Sequence, residues 1–251
     1  MKRSYSSIFI TVSSGAGYGL LALLGLVGNA HGKASSMVFG LTGVMIAFAL
    51  LTTGQLARRQ RVWHSSWSSR AGLASIITYP IALGFACVWS GLIDEPALIA
   101  PLGILTALMS AVTVFCNAMI YRSHKTVTAR QSKFIVPVYL AFALVTGSGL
   151  LNAISFSFGR FQTAAGKFMA LLTIALILIV IVLKWFDRSN HDRKLQIIMY
   201  PLLAVALLLM LLSLILPWLT FIVAFFVLAA ACTECWLSDV RLFENNEKRI
   251  S

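Results

Sequence analysis

The chain has 251 residues, of which 59% are hydrophobic and only 11% are charged, and its mean hydropathy is +0.88. A soluble domain usually contains about 45–50% apolar and about 25% charged residues. This composition therefore excludes a water-soluble fold and a disordered chain. The four cysteines lie inside apolar runs, which excludes a secreted disulfide scaffold. The net charge of +12 is typical of the cytoplasmic loops of a membrane protein, and nucleic-acid binding is the less favoured interpretation.

Apolar segments of about 20 residues, the length that crosses roughly 30 Å of hydrocarbon, recur along the chain. We predict an all-α, polytopic membrane protein whose single domain, residues 1–251, is a bundle of eight transmembrane helices. The predicted helices cover residues 8–28, 36–56, 72–93, 97–121, 134–155, 166–186, 195–216 and 217–240.

The first predicted helix follows Lys2 and Arg3, as the apolar core of a signal peptide would. It is long for such a core, and it contains five glycines, which let helices approach closely in a membrane bundle. We therefore expect it to be retained as a transmembrane helix. The glycines are Gly15, Gly17, Gly19, Gly25 and Gly28.

The last apolar run, residues 195–236, is too long for one crossing. As a single helix it would extend about 63 Å, twice the thickness of the hydrocarbon layer. We expect it to fold back near Pro217, which suits the first turn of a new helix, beside Trp218, which suits the membrane interface. Asp94, Glu95 and Pro96 predict a similar tight turn between the third and fourth helices.

The basic residues are divided unequally between the two sides of the membrane. With eight crossings both termini share one side, which carries 17 of the 20 Lys and Arg residues. Only Lys33, Arg160 and Lys167 fall on the other side. The positive-inside rule then predicts that both termini are cytoplasmic. The alternative for the basic face is docking of an acidic partner subunit, and we expect the loops 57–71 and 122–133 to contact lipid headgroups or a partner.

Haem chemistry is disfavoured by the positions of the histidines. A b-type haem in a bundle needs a histidine pair inside the membrane, and copper sites need histidine clusters there. All four histidines fall in predicted loops, and no phosphate-binding loop motif is present. We therefore predict no haem and no metal site. The histidines are His31, His64, His124 and His191.

Ionisable residues inside a membrane often mark functional sites. Glu234 is the only acidic residue within an apolar segment. Gln55, Asn117 and Tyr121 reach a similar depth at the ends of the second and fourth helices. These residues predict a shared polar pocket for an amphiphilic small molecule. The alternative is that they are helix-end residues that meet the headgroups.

Five stretches of the chain resemble the dimethyl sulfoxide reductase anchor-subunit family. They lie in the first, third, fourth, fifth and eighth predicted helices or directly beside them. The eight predicted helices of the chain also equal the family's helix count. The stretches are Ser14–Leu26, Ser65–Arg70, Cys116–Tyr121 with Ser123, Lys125 and Thr126, Pro137–Leu151, and Glu234–Leu237.

This resemblance implies a role in anaerobic electron transport at the bacterial cytoplasmic (inner) membrane. Such anchors hold a molybdopterin catalytic subunit and an iron–sulfur subunit at the membrane. They oxidise menaquinol or a related quinol, without haem, and pass the electrons to the iron–sulfur subunit. Their quinol is a substrate and is not covalently bound.

The chain departs from the family pattern at two positions. Gln55 stands where the family has a histidine tied to quinol binding, and Ala71 stands where it has a glutamate. His64, nine residues after Gln55, is the nearest imidazole that could substitute. We therefore predict Glu234 and His64 as the catalytic groups, because a carboxylate withdrawn from water is suited to accepting a proton. Gln55, Asn117, Tyr121 and Arg58 are the predicted quinol-binding residues.

Two alternatives remain from the sequence alone. The departures at Gln55 and Ala71 favour a structural anchor without quinol chemistry. A small-molecule transporter is the other, since Pro80 and Pro101 could kink helices, but transporters often carry charges at the bilayer midplane and none is predicted here.

Overall fold

The structure, a computed structural model, describes residues 5–27, 40–51, 66–93, 95–122, 129–186 and 193–250. Within these ranges the chain is helical and contains no strand, which confirms the all-α class. A short 3-10 helix, Pro96–Leu98, precedes α4. The helices are α1 (Tyr5–Val27), α2 (Gly40–Leu51), α3 (Ser66–Trp89), α4 (Ile99–Arg122), α5 (Ala129–Ser157), α6 (Ala164–Phe186), α7 (Arg193–Ser213) and α8 (Leu219–Ile250).

Five of these helices are long and apolar enough to cross a membrane, which indicates a multi-pass membrane protein. The segments are Trp67–Trp89, Pro96–Ile120, Ile135–Ser157, Ala164–Trp185 and Leu219–Trp236. The described parts of α1, α2 and α7 contribute shorter apolar segments, Thr11–Val27, Gly40–Leu51 and Ile198–Ser213. Eight crossings, and the side on which each terminus lies, stay predictions.

The third helix lies closer to the N-terminus than its predicted range of 72–93. It begins at Ser66, so the second part of the predicted loop 57–71 is helical. It ends at Trp89 because Gly91 adopts a left-handed conformation, φ 75°, that a helix cannot continue through. The amide of Leu92 then donates to the carbonyl of Cys87 across this turn (3.0 Å).

The long apolar run breaks between α7 and α8, near the proline. Residues 214–218 form the turn, and the hydroxyl of Thr220 donates to the carbonyl of Pro217 (2.9 Å) as α8 begins. At its other end α8 continues as one helix to Ile250, ten residues beyond the predicted end. The last 14 residues of α8 therefore follow its apolar segment, which finishes at Trp236.

The eight helices form two four-helix halves, which we call the first half (α1–α4) and the second half (α5–α8). In the second half α5 packs on α6, α6 on α7, α7 on α8, and α8 on α5. This ring of neighbours leaves α6 and α8 diagonally opposite, and they do not pack closely. The first half is arranged in the same way: α1 and α3 pack on α4, and α2 contacts α1 through Ala47 and α3 through Phe48. Contacts of α1 and α4 with α5, and of α1 with α8, join the halves.

Glycines allow the two halves to approach closely. A Cβ atom added at Gly19 of α1 would overlap the backbone of Ala143 on α5, and one at Gly147 would overlap Gly19 in return. Gly25 and Gly103 stand in the same relation between α1 and α4. The expectation of close packing is thus met at these glycines. Gly15, in the same helix, has nothing within 4 Å of its added Cβ atom.

Candidate functional site

A buried ion pair joins α6 and α8. The Nζ atom of Lys184 donates to Oε1 of Glu234 at 2.8 Å, and only 1% and 9% of the two side chains are exposed. Lys184 is one residue before the end of the α6 membrane segment, and Glu234 is two residues before the end of that of α8. Both therefore lie at one end of the bundle. We call it the basic end, because the predicted topology puts 17 of the 20 Lys and Arg residues on this side.

The ion pair crosses the centre of the second half. Since α6 and α8 are diagonal neighbours, their side chains meet on the axis that the four helices share. One helical turn deeper, Val180 on α6 and Ala230 on α8 belong to the buried apolar cluster that fills this axis. The charged groups thus cap an apolar core, a position where desolvation is expensive and the pairing compensates for part of it.

The carboxylate of Glu234 is only half satisfied. Its Oε2 atom is buried and has no hydrogen-bond partner among the described residues. A buried acceptor without a donor loses the hydrogen bonds that it would make with water, and the loss is greater for a charged group. At the next residue of α8, the Sγ atom of Cys235 lies 4.0 Å from the hydroxyl of Tyr139 on α5. Polar groups of three helices therefore converge at this end of the second half.

The first half is joined across its centre by neutral groups. The hydroxyl of Tyr18 on α1 donates to the hydroxyl of Ser75 on α3 (2.9 Å), although α1 and α3 do not pack closely. On the next turn Thr78 of α3 and Thr113 of α4 share a hydrogen bond of 3.1 Å. The hydroxyl of Ser75 donates to the carbonyl of Ala71, and whichever threonine accepts from the other can donate to the carbonyl four residues earlier in its own helix. These groups carry no charge, so their burial is inexpensive.

The structure places Asn117 and Glu234 in different halves. Asn117 is buried on α4, seven residues after the buried Ser110, and therefore on the same face of the helix. The backbone of α4 extends past Tyr121 to Arg122. α4 and α8 are not among the pairs that pack closely, and α5 contacts both. The shared pocket of Gln55, Asn117, Tyr121 and Glu234 stays a prediction.

Three other predicted site residues, Gln55, Arg58 and His64, lie outside the described residues. Ala71, the position where the family has a glutamate, is fully buried in α3, and its carbonyl accepts the hydroxyl of Ser75 (2.8 Å). A longer acidic side chain at this position would enter the interior of the first half.

Lys184 is the residue of this site that the sequence did not reveal. From the sequence alone, Lys184 is one of the basic residues that set the orientation, because it precedes a predicted loop. An available signal was its opposite charge to Glu234 at the same end of another predicted helix, although 50 residues separate them. In the part of the chain that the structure describes, no three His, Cys, Asp or Glu residues are grouped to hold a metal ion.

No protein-family model, curated protein or solved structure matches this chain. The family resemblance therefore rests on the five sequence stretches alone.

Proposed function

We propose that the chain is the membrane anchor subunit of a dimethyl sulfoxide reductase-like molybdoenzyme. In this proposal it oxidises menaquinol or a related quinol and passes the electrons to an iron–sulfur subunit, which delivers them to a molybdopterin catalytic subunit. The sequence resemblance suggests the family. The observation that carries the quinol chemistry is the buried carboxylate of Glu234, whose Oε2 atom has no described donor.

Quinol oxidation requires acceptors for protons as well as for electrons. A quinol that gives up two electrons also releases two protons, and each acceptor must lie within about 3 Å of a hydroxyl or one water away. Gln55 can form hydrogen bonds with a quinol but cannot take a proton near neutral pH. Glu234 and His64 are therefore the proposed proton acceptors, and Asn117, Tyr121 and Arg58 are proposed to bind the quinol ring and its substituents.

A second candidate is a structural anchor that has lost quinol chemistry. The salt bridge with Lys184 favours it, because a carboxylate that already neutralises a buried ammonium has a structural reason to be there. In this case the chain would hold its partner subunits at the membrane and take no part in electron transfer.

The decisive experiment is purification of the tagged chain from its native membrane, with identification of the subunits that accompany it. Molybdopterin and iron–sulfur subunits would support both candidates, and their absence would contradict both. Menaquinol-dependent reduction of the co-purified iron–sulfur subunit then separates the two, since a structural anchor supports none.

Two substitutions test the proposed proton acceptors in complexes that still assemble. Glu234→Gln and His64→Ala should each lower the rate of quinol oxidation, and His191→Ala serves as a control in another predicted loop of the basic end. If both variants oxidise quinol at the unaltered rate, the protons leave by another route.

A further inference from the structure

The Lys184–Glu234 pair has the position of a ligand-binding group in a helix bundle. Sites in four-helix bundles are built from side chains that project into the centre from facing helices. These two residues come from diagonal helices and meet at the centre of the second half. Ionisable groups in membrane segments are rare, and they commonly face a bundle interior where they act on a substrate or an ion.

The free oxygen of the carboxylate determines what such a ligand must offer. Lys184 holds Oε1, so Oε2 is the acceptor that remains, and a ligand at Oε2 must donate a hydrogen bond. A neutral hydroxyl group can donate to Oε2 without bringing a further charge into this buried site, where desolvation of a charge is expensive. A neutral donor is therefore the ligand that the site favours.

The surroundings of the pair indicate that the ligand is also amphiphilic. Val180 and Ala230, one turn deeper, belong to the buried apolar cluster directly beneath the charged groups. The pair itself lies within two residues of the ends of two apolar segments that are long enough to cross a membrane. A molecule with a hydroxyl group on a flat apolar ring would meet both environments at once.

We propose that Oε2 of Glu234 binds a hydroxyl group of the quinol, and that Lys184 is a positioning residue that fixes the carboxylate through Oε1. This inference rests on the proposed quinol function, and it adds a residue and a location to it. The hydroxyl site lies in the second half, between α6 and α8. Lys184 does not touch the quinol in this arrangement.

Menadiol, a menaquinol headgroup without the isoprenoid tail, is a suitable probe for the complete complex. Its dimethyl ether is the matched control, because it keeps the ring but has no hydrogen to donate. Menadiol should shift the infrared carboxylate band that disappears in Glu234→Gln, and the ether should leave that band unchanged. A hydrogen bond to a charged group implies that Glu234→Gln weakens menadiol binding at least about tenfold. An unshifted band, or an equal shift with the ether, would overturn the inference.

A double variant that exchanges the two residues distinguishes a positioning role of Lys184 from a purely structural salt bridge. Lys184→Glu combined with Glu234→Lys keeps the ion pair but moves the carboxylate to α6. We expect this variant to assemble and to lose the menadiol response, whereas Lys184→Arg should keep it. Full recovery of the response in the exchanged pair would reduce the two residues to a structural salt bridge.

The proposed quinol function and the proposed hydroxyl site at Glu234 are contradicted by different results. A shifted carboxylate band in a complex that transfers no electrons from menaquinol contradicts the proposed function and leaves a hydroxyl-binding site. Normal electron transfer with an unshifted band contradicts the site and leaves the proposed function.

Discussion

The two halves of the bundle solve the same packing problem with different chemistry. In each half four helices form a ring, and one polar contact joins a diagonal pair: Tyr18 with Ser75 in the first half, Lys184 with Glu234 in the second. The neutral contact requires little desolvation, and Ser75 has a second partner in its own helix. The ionic contact requires the desolvation of two charges and leaves Oε2 without a described donor. Hydroxyl groups suffice to join the diagonal helices of the first half, so the ion pair of the second half is the more costly of the two arrangements.

The largest effect should come from removing one charge of the ion pair. Lys184→Met leaves the carboxylate of Glu234 buried without its counter-ion, and we expect a loss of about 3–5 kcal/mol in the free energy of unfolding. Unfolding in mixed micelles, followed by circular dichroism, measures it.

The double variant Lys184→Met/Glu234→Met is the control for this substitution. It removes both charges and should be close to the unaltered protein in stability, or more stable. If Lys184→Met lowers the free energy of unfolding by less than about 1 kcal/mol, the ionic contact of the second half costs no more to break than the neutral contact of the first half.

The next largest effect concerns the contact between the halves. Gly19→Ala places a Cβ atom against the backbone of Ala143, so α1 and α5 must move apart, and we expect a loss of about 1–3 kcal/mol in unfolding free energy. Gly15→Ala, four residues earlier in α1, meets open space, and because alanine favours a helix more than glycine does, it should raise the unfolding free energy by up to about 1 kcal/mol. Equal effects at the two glycines would mean that the halves are not packed through this face of α1.

A smaller effect is expected for the neutral diagonal. A double-mutant cycle of Tyr18→Phe and Ser75→Ala isolates the hydrogen bond between the two hydroxyls. Side-chain hydrogen bonds inside membrane proteins average about 0.6 kcal/mol, and we expect a coupling energy of this size from unfolding measurements. A coupling above about 2 kcal/mol would place the neutral contact in the range of the ionic one.

The smallest effect concerns cross-linking, and it compares a cysteine pair within the first half with a pair that would join the two halves. In a variant without native cysteines, Thr78→Cys with Thr113→Cys should form a disulfide on mild oxidation, because the hydroxyl oxygens that the sulfurs replace are 3.1 Å apart. Asn117→Cys with Glu234→Cys should form none, since α5 packs against both helices that carry them. A rapid cross-link in the second pair would favour the pocket shared by α4 and α8.

The all-helical class could be predicted from composition, and several helix ends from local signals. Residues 195–236 exceed the length of one crossing, so a break near Pro217 follows from the sequence alone. The end of α3 does not follow in the same way: glycines are frequent in this chain, and only the structure shows that Gly91 takes the left-handed conformation. The predicted start of α3, residue 72, is wrong by six residues, because serines and an arginine precede its apolar part.

The features that could not be predicted from the sequence depend on contacts between helices that are distant in the chain. The sequence does not distinguish the packing of Gly15 from that of Gly19. Only the rotation of α1 relative to α5 decides which of the two glycines faces α5. The local sequence does not distinguish a lysine that only sets the orientation from a lysine that forms a buried ion pair. Lys184 is of the second kind, and its partner Glu234 lies 50 residues later in the chain. Glu234 stood out because its own segment is otherwise apolar, a property of the local sequence.

The 50 residues between Lys184 and Glu234 also set an order for biosynthesis. Ribosomes add about 5–20 residues per second, so Lys184 leaves the ribosome about 3–10 s before Glu234 does. During this interval the ammonium of Lys184 has no carboxylate from α8, and its flexible stem allows it to reach the headgroups. The lysine can move into the interior only when α8 arrives. The arrival of α8 thus completes the second half.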